Sequence, residues 1–76
     1  MAKKTHYGRA IRAMRVARNL TAAQLGRKCR PKLAERQVTY MEGQASIQVH
    51  KLDAIARALG LTLTDLIEFA RKEVAV

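Results

Sequence analysis

The sequence has little that could fix its fold from outside its own core. It holds one cysteine, Cys29, so no internal disulfide forms and no second thiol stands nearby for a metal site. His6 and His50 are far apart with no partner at ligand spacing, so no metal is expected. There is no tryptophan, and Tyr7, Tyr40 and Phe69 make up an aromatic content of 4%. That scarcity opposes both a strong protein-binding hot spot and a stacking platform for single strands. With one proline and four glycines, no linker rich in Pro, Gly or Ser is visible, and no repeat or low-complexity segment appears. No uncharged apolar run approaches the roughly 20 residues of a membrane span. The start, Met1-Ala2-Lys3-Lys4-Thr5-His6, has no apolar stretch behind it and does not read as a signal peptide. Acids number only six and are scattered. No convergent carboxylate pair, Ser/His/Asp set or phosphate-cradling glycine loop is visible, so neither an enzyme nor a cofactor is expected. These absences predict a chain of a reducing, cytoplasmic compartment, held together by packing alone.

What is there is apolar and basic. Hydrophobic residues are 49% and charged residues 28% of 76, a globular balance sufficient for one domain and not two. Through Lys51, twelve basic residues face two acids, Glu35 and Glu42, a net of +10. From Leu52 on, three basic residues face four acids, a net of −1. A polycationic stretch joined to a nearly neutral one points to a polyanionic partner, most often nucleic acid.

The hydrophobic rhythm is helical throughout and predicts a five-helix, all-α domain over residues 7–76, preceded by a basic arm over residues 1–6. The first helix spans 7–18, with Tyr7, Ile11 and Met14 on its inner face and Ala10 and Ala17 beside them. Asn19 can take the left-handed conformation that ends it. The second opens at Thr21, where Thr21-Ala22-Ala23-Gln24 reads as a capping box, and turns Leu25 and Cys29 inward. Pro31 closes it. The third starts between Pro31 and Ala34 and ends at Met41, with Ala34, Val38 and Met41 inside and Gly43 as its stop. The fourth spans 49–59, with Leu52, Ile55, Ala56 and Leu59 inside and Gly60 as its cap. The fifth opens at Thr62, which with Asp65 resembles a second capping box, and turns Leu63, Leu66, Ile67 and Ala70 inward. Ser46-Ile47-Gln48-Val49 alternates but is too short for a strand.

Two short helices joined by a turn, one with a polar outer face, read as a helix-turn-helix. The sequence here resembles the lambda-repressor-like (Cro-type, XRE) DNA-binding domains. The resemblance covers roughly residues 8–67. Its pieces are Ile11-Arg12-Ala13-Met14-Arg15, Asn19-Leu20-Thr21 with Leu25-Gly26, Val38-Thr39-Tyr40-Met41-Glu42-Gly43, and the run from Leu52 to Leu66. That last run is the most specific. The chain departs from the family in a longer stretch at Arg30-Pro31-Lys32, in Ala22 where a phosphate-touching Gln is frequent, and in Gly43 directly after Glu42.

The resemblance implies a five-helix lambda-repressor-like fold whose third helix lies in a major groove. With Ala34, Val38 and Met41 inward, the outward residues are Lys32, Glu35, Arg36, Thr39 and Tyr40, with Gln37 at the margin. The family's base-reading positions map to Glu35, Arg36 and Tyr40, with Gln37 and Thr39 beside them. Arg36 carries the fork that matches guanine O6 and N7, Gln37 suits adenine, and Glu35 can accept from cytosine or orient Arg36. Phosphates would be held by Thr21, by Arg27, Lys28, Arg30 and Lys32 around the turn, and by His50 and Lys51 at the next helix start. Arg15 and Glu42 stand where family members carry a structural ion pair. Phe69, Val74 and Val76 extend beyond the minimal family core and are the expected dimer surface; the competing arrangement folds Phe69 back toward the first helix. The expected function is a sequence-specific, dimeric regulator on double-stranded DNA, a repressor of bacterial or phage type acting at an inverted-repeat operator and nucleoid-associated when bound. No membrane and no small-molecule ligand are expected. The alternatives are a protein-interaction module (an antitoxin or antiactivator) and a non-specific nucleic-acid binder.

Overall fold

The computed structural model describes residues 5–73, and every regular element among them is an α-helix. Helix α1 (Tyr7–Ala17) is capped by a residue the sequence did not suggest: His6 Nδ1 accepts the Arg9 N–H at 3.0 Å. The next amides would also be orphans at a helix start. Tyr7 and Gly8 donate instead to the carbonyls of Ala45 and Gln44, both at 3.0 Å, which ties α1 to the segment after the third helix. Past Arg18 the chain reverses at Asn19, with φ of 56°.

Helix α2 (Ala22–Lys28) begins at the Thr21 capping box. Thr21 Oγ accepts the Gln24 N–H at 3.1 Å, and Gln24 Oε1 accepts the Thr21 N–H at 2.8 Å. The chain leaves α2 in extended form at Cys29, and residues 29–34 return it for α3 (Glu35–Glu42). Within that return, Leu33 donates to the Gly26 carbonyl at 3.0 Å, and Gly26 is buried beneath it. Helix α3 therefore starts later than Pro31, and Ala34 is its extended, exposed cap rather than a core residue. Helix α4 (Val49–Ala58) ends at Leu59, and Gly60 reverses the chain with φ of 78°. Helix α5 (Leu63–Glu73) opens at the Thr62–Asp65 box, whose reciprocal bonds measure 3.1 and 3.2 Å.

Ile11, Leu25, Cys29, Val38, Ile55 and Leu66 are fully buried at the centre. Two other expected core residues lie elsewhere: Ala17 is exposed and Ile67 is half-buried. Apolar residues outside the helices also contribute: Leu20, Leu33, Ile47 and Leu61 sit in connections and pack on the core. Phe69 also packs on it, half-buried. The main helix contacts are α2 with α3, α3 with α1, α1 with α5, α5 with α4, and α4 with α2, so the interfaces close into a ring. Among the described residues no helix is long and apolar enough to cross a membrane, and no three His, Cys, Asp or Glu gather as a metal site.

Candidate nucleic-acid interface

Helix α3 is held from behind by Val38 and Met41, which are buried, and presents Glu35, Arg36, Gln37, Thr39 and Tyr40, which are exposed. Tyr40 is 69% exposed, the largest value among the exposed large hydrophobic side chains of the described residues. Arg36 makes no hydrogen bond or ion pair among the described residues, so its whole guanidinium fork is free to donate. Such a fork suits two neighbouring acceptors at a fixed spacing, as on the guanine edge.

Gln37 and Thr39 are less free than their positions suggest. Gln37 Oε1 accepts the Ala34 N–H at 2.8 Å and closes the start of α3, where Ala34 has no side-chain oxygen to offer. Its NH2 and the second lone pair of its oxygen remain unengaged. The two-bond adenine contact uses both ends of the amide, so Gln37 would have to make it from the orientation that the cap fixes. Thr39 Oγ donates to the Glu35 carbonyl at 3.1 Å and keeps its methyl and its lone pairs outward.

The residues expected at phosphates divide in the same way. Arg27, Lys28 and Lys32 are exposed around the turn, and His50 and Lys51 are exposed in the first turn of α4. Arg30 instead folds back, one terminal nitrogen lying 3.2 Å from the carbonyl oxygens of both Arg27 and Cys29, where it caps the end of α2. Thr21 uses its N–H and one hydroxyl lone pair in the capping box, so the free donors at that helix start are its own O–H and the following backbone amides.

Arg15 and Glu42 meet. Arg15 Nε donates to Oε2 of Glu42 at 2.6 Å and a terminal nitrogen to Oε1 at 3.1 Å, while the other terminal nitrogen reaches the Leu20 carbonyl at 2.8 Å. The two side chains are 16% and 8% exposed, so the pair is largely withdrawn from water. Hydrogen bonding to Glu42 raises the Arg15 pKa above its ordinary value; burial opposes this, and the carboxylate charge adds to the rise. This fork fastens α1 to the end of α3 and to the turn before α2. The second ion pair, Arg57 with Asp53 at 3.2 Å, is an exposed i,i+4 pair on α4.

Phe69 lies in the core's margin, which reduces the apolar surface it offers a partner. Val74 and Val76 lie outside the described residues. No known protein family, curated protein or solved structure matches this chain.

Proposed function

We propose that the chain is a lambda-repressor-like helix-turn-helix protein that binds double-stranded DNA by sequence and regulates transcription, acting as a repressor from an inverted-repeat operator. The observation that carries this reading is the outer face of α3. Its polar residues cover the face opposite the buried Val38–Met41 anchor, with exposed basic residues flanking the helix: Arg27, Lys28 and Lys32 around the turn before it, and Lys51, with His50 beside it, at the start of α4. A helix presented in this way fits the width of a major groove, and the flanking cations fit the backbones that border it. In this reading α2 and α3 are the two helices of the motif, Arg36 reads bases and Tyr40 lies beside it. The two-fold dimer doubles the short readout of one helix, with α5 and the residues after it as the contact. The cytoplasm is where such a protein would work.

The test is selection of duplexes from a random library, followed by mobility shifts with the selected duplex and a scrambled competitor. Arg36→Ala is expected to cost about 1–3 kcal/mol on the selected duplex and to relax preference at one position per half-site. Equal loss on selected and scrambled DNA would assign Arg36 to phosphate. No enrichment from the library would sink the sequence-specific reading.

A further inference from the structure

We infer that the cleft between α3 and the start of α4 is a binding site for a small anion with a flat apolar body, of the aryl carboxylate class, and that its occupation competes with DNA. The second half rests on the function proposed above; the first does not.

The cleft is lined by Leu33, Arg36, Gln37, Tyr40, Met41 and Lys51, is open to solvent on its rim side, and has a volume of about 460 Å³. That volume falls within the roughly 300–1,000 Å³ typical of small-molecule sites. Its layers follow from burial. Met41 is buried and Leu33 half-buried, so these two form the floor; Arg36, Tyr40 and Lys51 are exposed and form the rim. An apolar floor calls for an apolar body, and the Tyr40 ring at the rim favours a flat one.

The polar groups at the rim settle the sign of the ligand. Arg36 and Lys51 carry positive charge and have no carboxylate partner among the described residues, and no acid lines the cleft. Gln37 has one lone pair of its carbonyl oxygen engaged by the Ala34 N–H, and its NH2 is free to donate. Donors therefore predominate around the cleft: Arg36, Lys51 and the Gln37 NH2, against the Tyr40 hydroxyl and the second lone pair of the Gln37 oxygen as side-chain acceptors. A carboxylate, which only accepts and carries the opposite charge, matches that set best; an amine of the same shape is repelled, and a neutral alcohol makes only the weaker uncharged bonds. Because Arg36, Tyr40 and Lys51 are also groups that would meet DNA, a ligand held there takes them away from the groove.

The experiment is a titration of isotope-labelled protein with 2-naphthoate, followed by amide NMR, with 2-naphthalenemethanol as the neutral counterpart. Saturable shifts grouped at residues 33, 36, 37, 40, 41 and 51 are expected, with the neutral compound binding at least about tenfold more weakly. Lys51→Gln should weaken naphthoate binding about fivefold, while Lys28→Gln, a cation outside the cleft, should leave it unchanged. Shifts spread over all the basic residues, equal binding of the neutral compound, or equal effects of the two lysine variants would each overturn the site. In the second arm, naphthoate is added to the complex with a library-selected duplex. Release at concentrations that fill the cleft supports competition, and retention of the duplex by protein with a filled cleft overturns it. If no duplex is selected, competition falls together with the DNA-binding reading, and the NMR titration alone decides the site.

Discussion

Arg15 spends three donors on two residues that lie on either side of the α2–α3 unit, and no other side chain can reproduce that fork. Truncating either member of the Arg15–Glu42 pair leaves the other charge withdrawn from water without its partner. Arg15→Ala and Glu42→Ala are each expected to cost about 3 kcal/mol. Thermal melts arranged as a double-mutant cycle should show coupling above about 1 kcal/mol. Arg15→Lys should fail to restore the loss, because an ammonium cannot hold both carboxylate oxygens and the Leu20 carbonyl together. Additive single effects would mean that the pair only decorates the surface. Cys29 makes a different prediction. Its thiol is buried, lies 3.4 Å from the Leu25 carbonyl oxygen, and has its pKa raised by burial above the ordinary 9.0. The folded state therefore holds this proton more tightly than the unfolded chain does. This contribution to stability is whole below pH 9.0 and is lost as pH rises above it, where only the unfolded chain gives the proton up. Urea midpoints measured on both sides of that pH should fall more steeply for wild type than for Cys29→Ala, and equal slopes would remove the thiol from the argument.

At the scale of elements, the connections decide where the outer face of α3 lies. Gly26 permits the return after α2, since a Cβ there would run into the Leu33 carbonyl oxygen. Gly60 also reverses the chain, with φ of 78°, yet a Cβ there meets nothing within 4 Å. The two glycines serve separate ends. Gly60→Ala should cost about 1 kcal/mol of backbone strain and leave ligand binding untouched. Gly26→Ala must push residues 29–34 outward, so it should lose about 2 kcal/mol or more and shift the amide signals of α3 as well. Indistinguishable spectra for the two variants would show that the turn after α2 does not place α3. Helix order, both Thr capping boxes and the reversals at Asn19 and Gly60 were legible in the sequence, because each is a local rule carried by one to four residues. The seats of Leu20, Leu33, Ile47 and Leu61 were not. Periodicity places residues within helices, and these four lie between them, where only the tertiary path sends them inward. The closure of Gln37 onto Ala34 and the return of Arg30 to the end of α2 escaped for a related reason: both depend on where α3 begins, and the enlarged turn left that start open.

For the whole molecule, the uneven charge sets the expected behaviour toward polyanions. If each half of a two-fold dimer neutralises about four phosphates, log K should fall with log salt at a slope of about −7. A mobility-shift titration with a slope shallower than about −2 would be incompatible with a grip by the basic part of the chain. The same measurement on Lys28→Ala and Lys32→Ala should show shallower slopes on every duplex alike. The ring of helix contacts has its own consequence. In an open stack the outermost helix can detach while the rest stays folded, and exchange of its amide hydrogens reports a small local opening energy. Here every helix is a neighbour of two others, so releasing any one of them breaks two interfaces together. Amide hydrogens in the middle of all five helices should therefore exchange through a single shared opening, with only the helix ends exchanging sooner. The chain then behaves as one cooperative unit, and the outer face of α3 stays in place for as long as α5, on the far side of the ring, does.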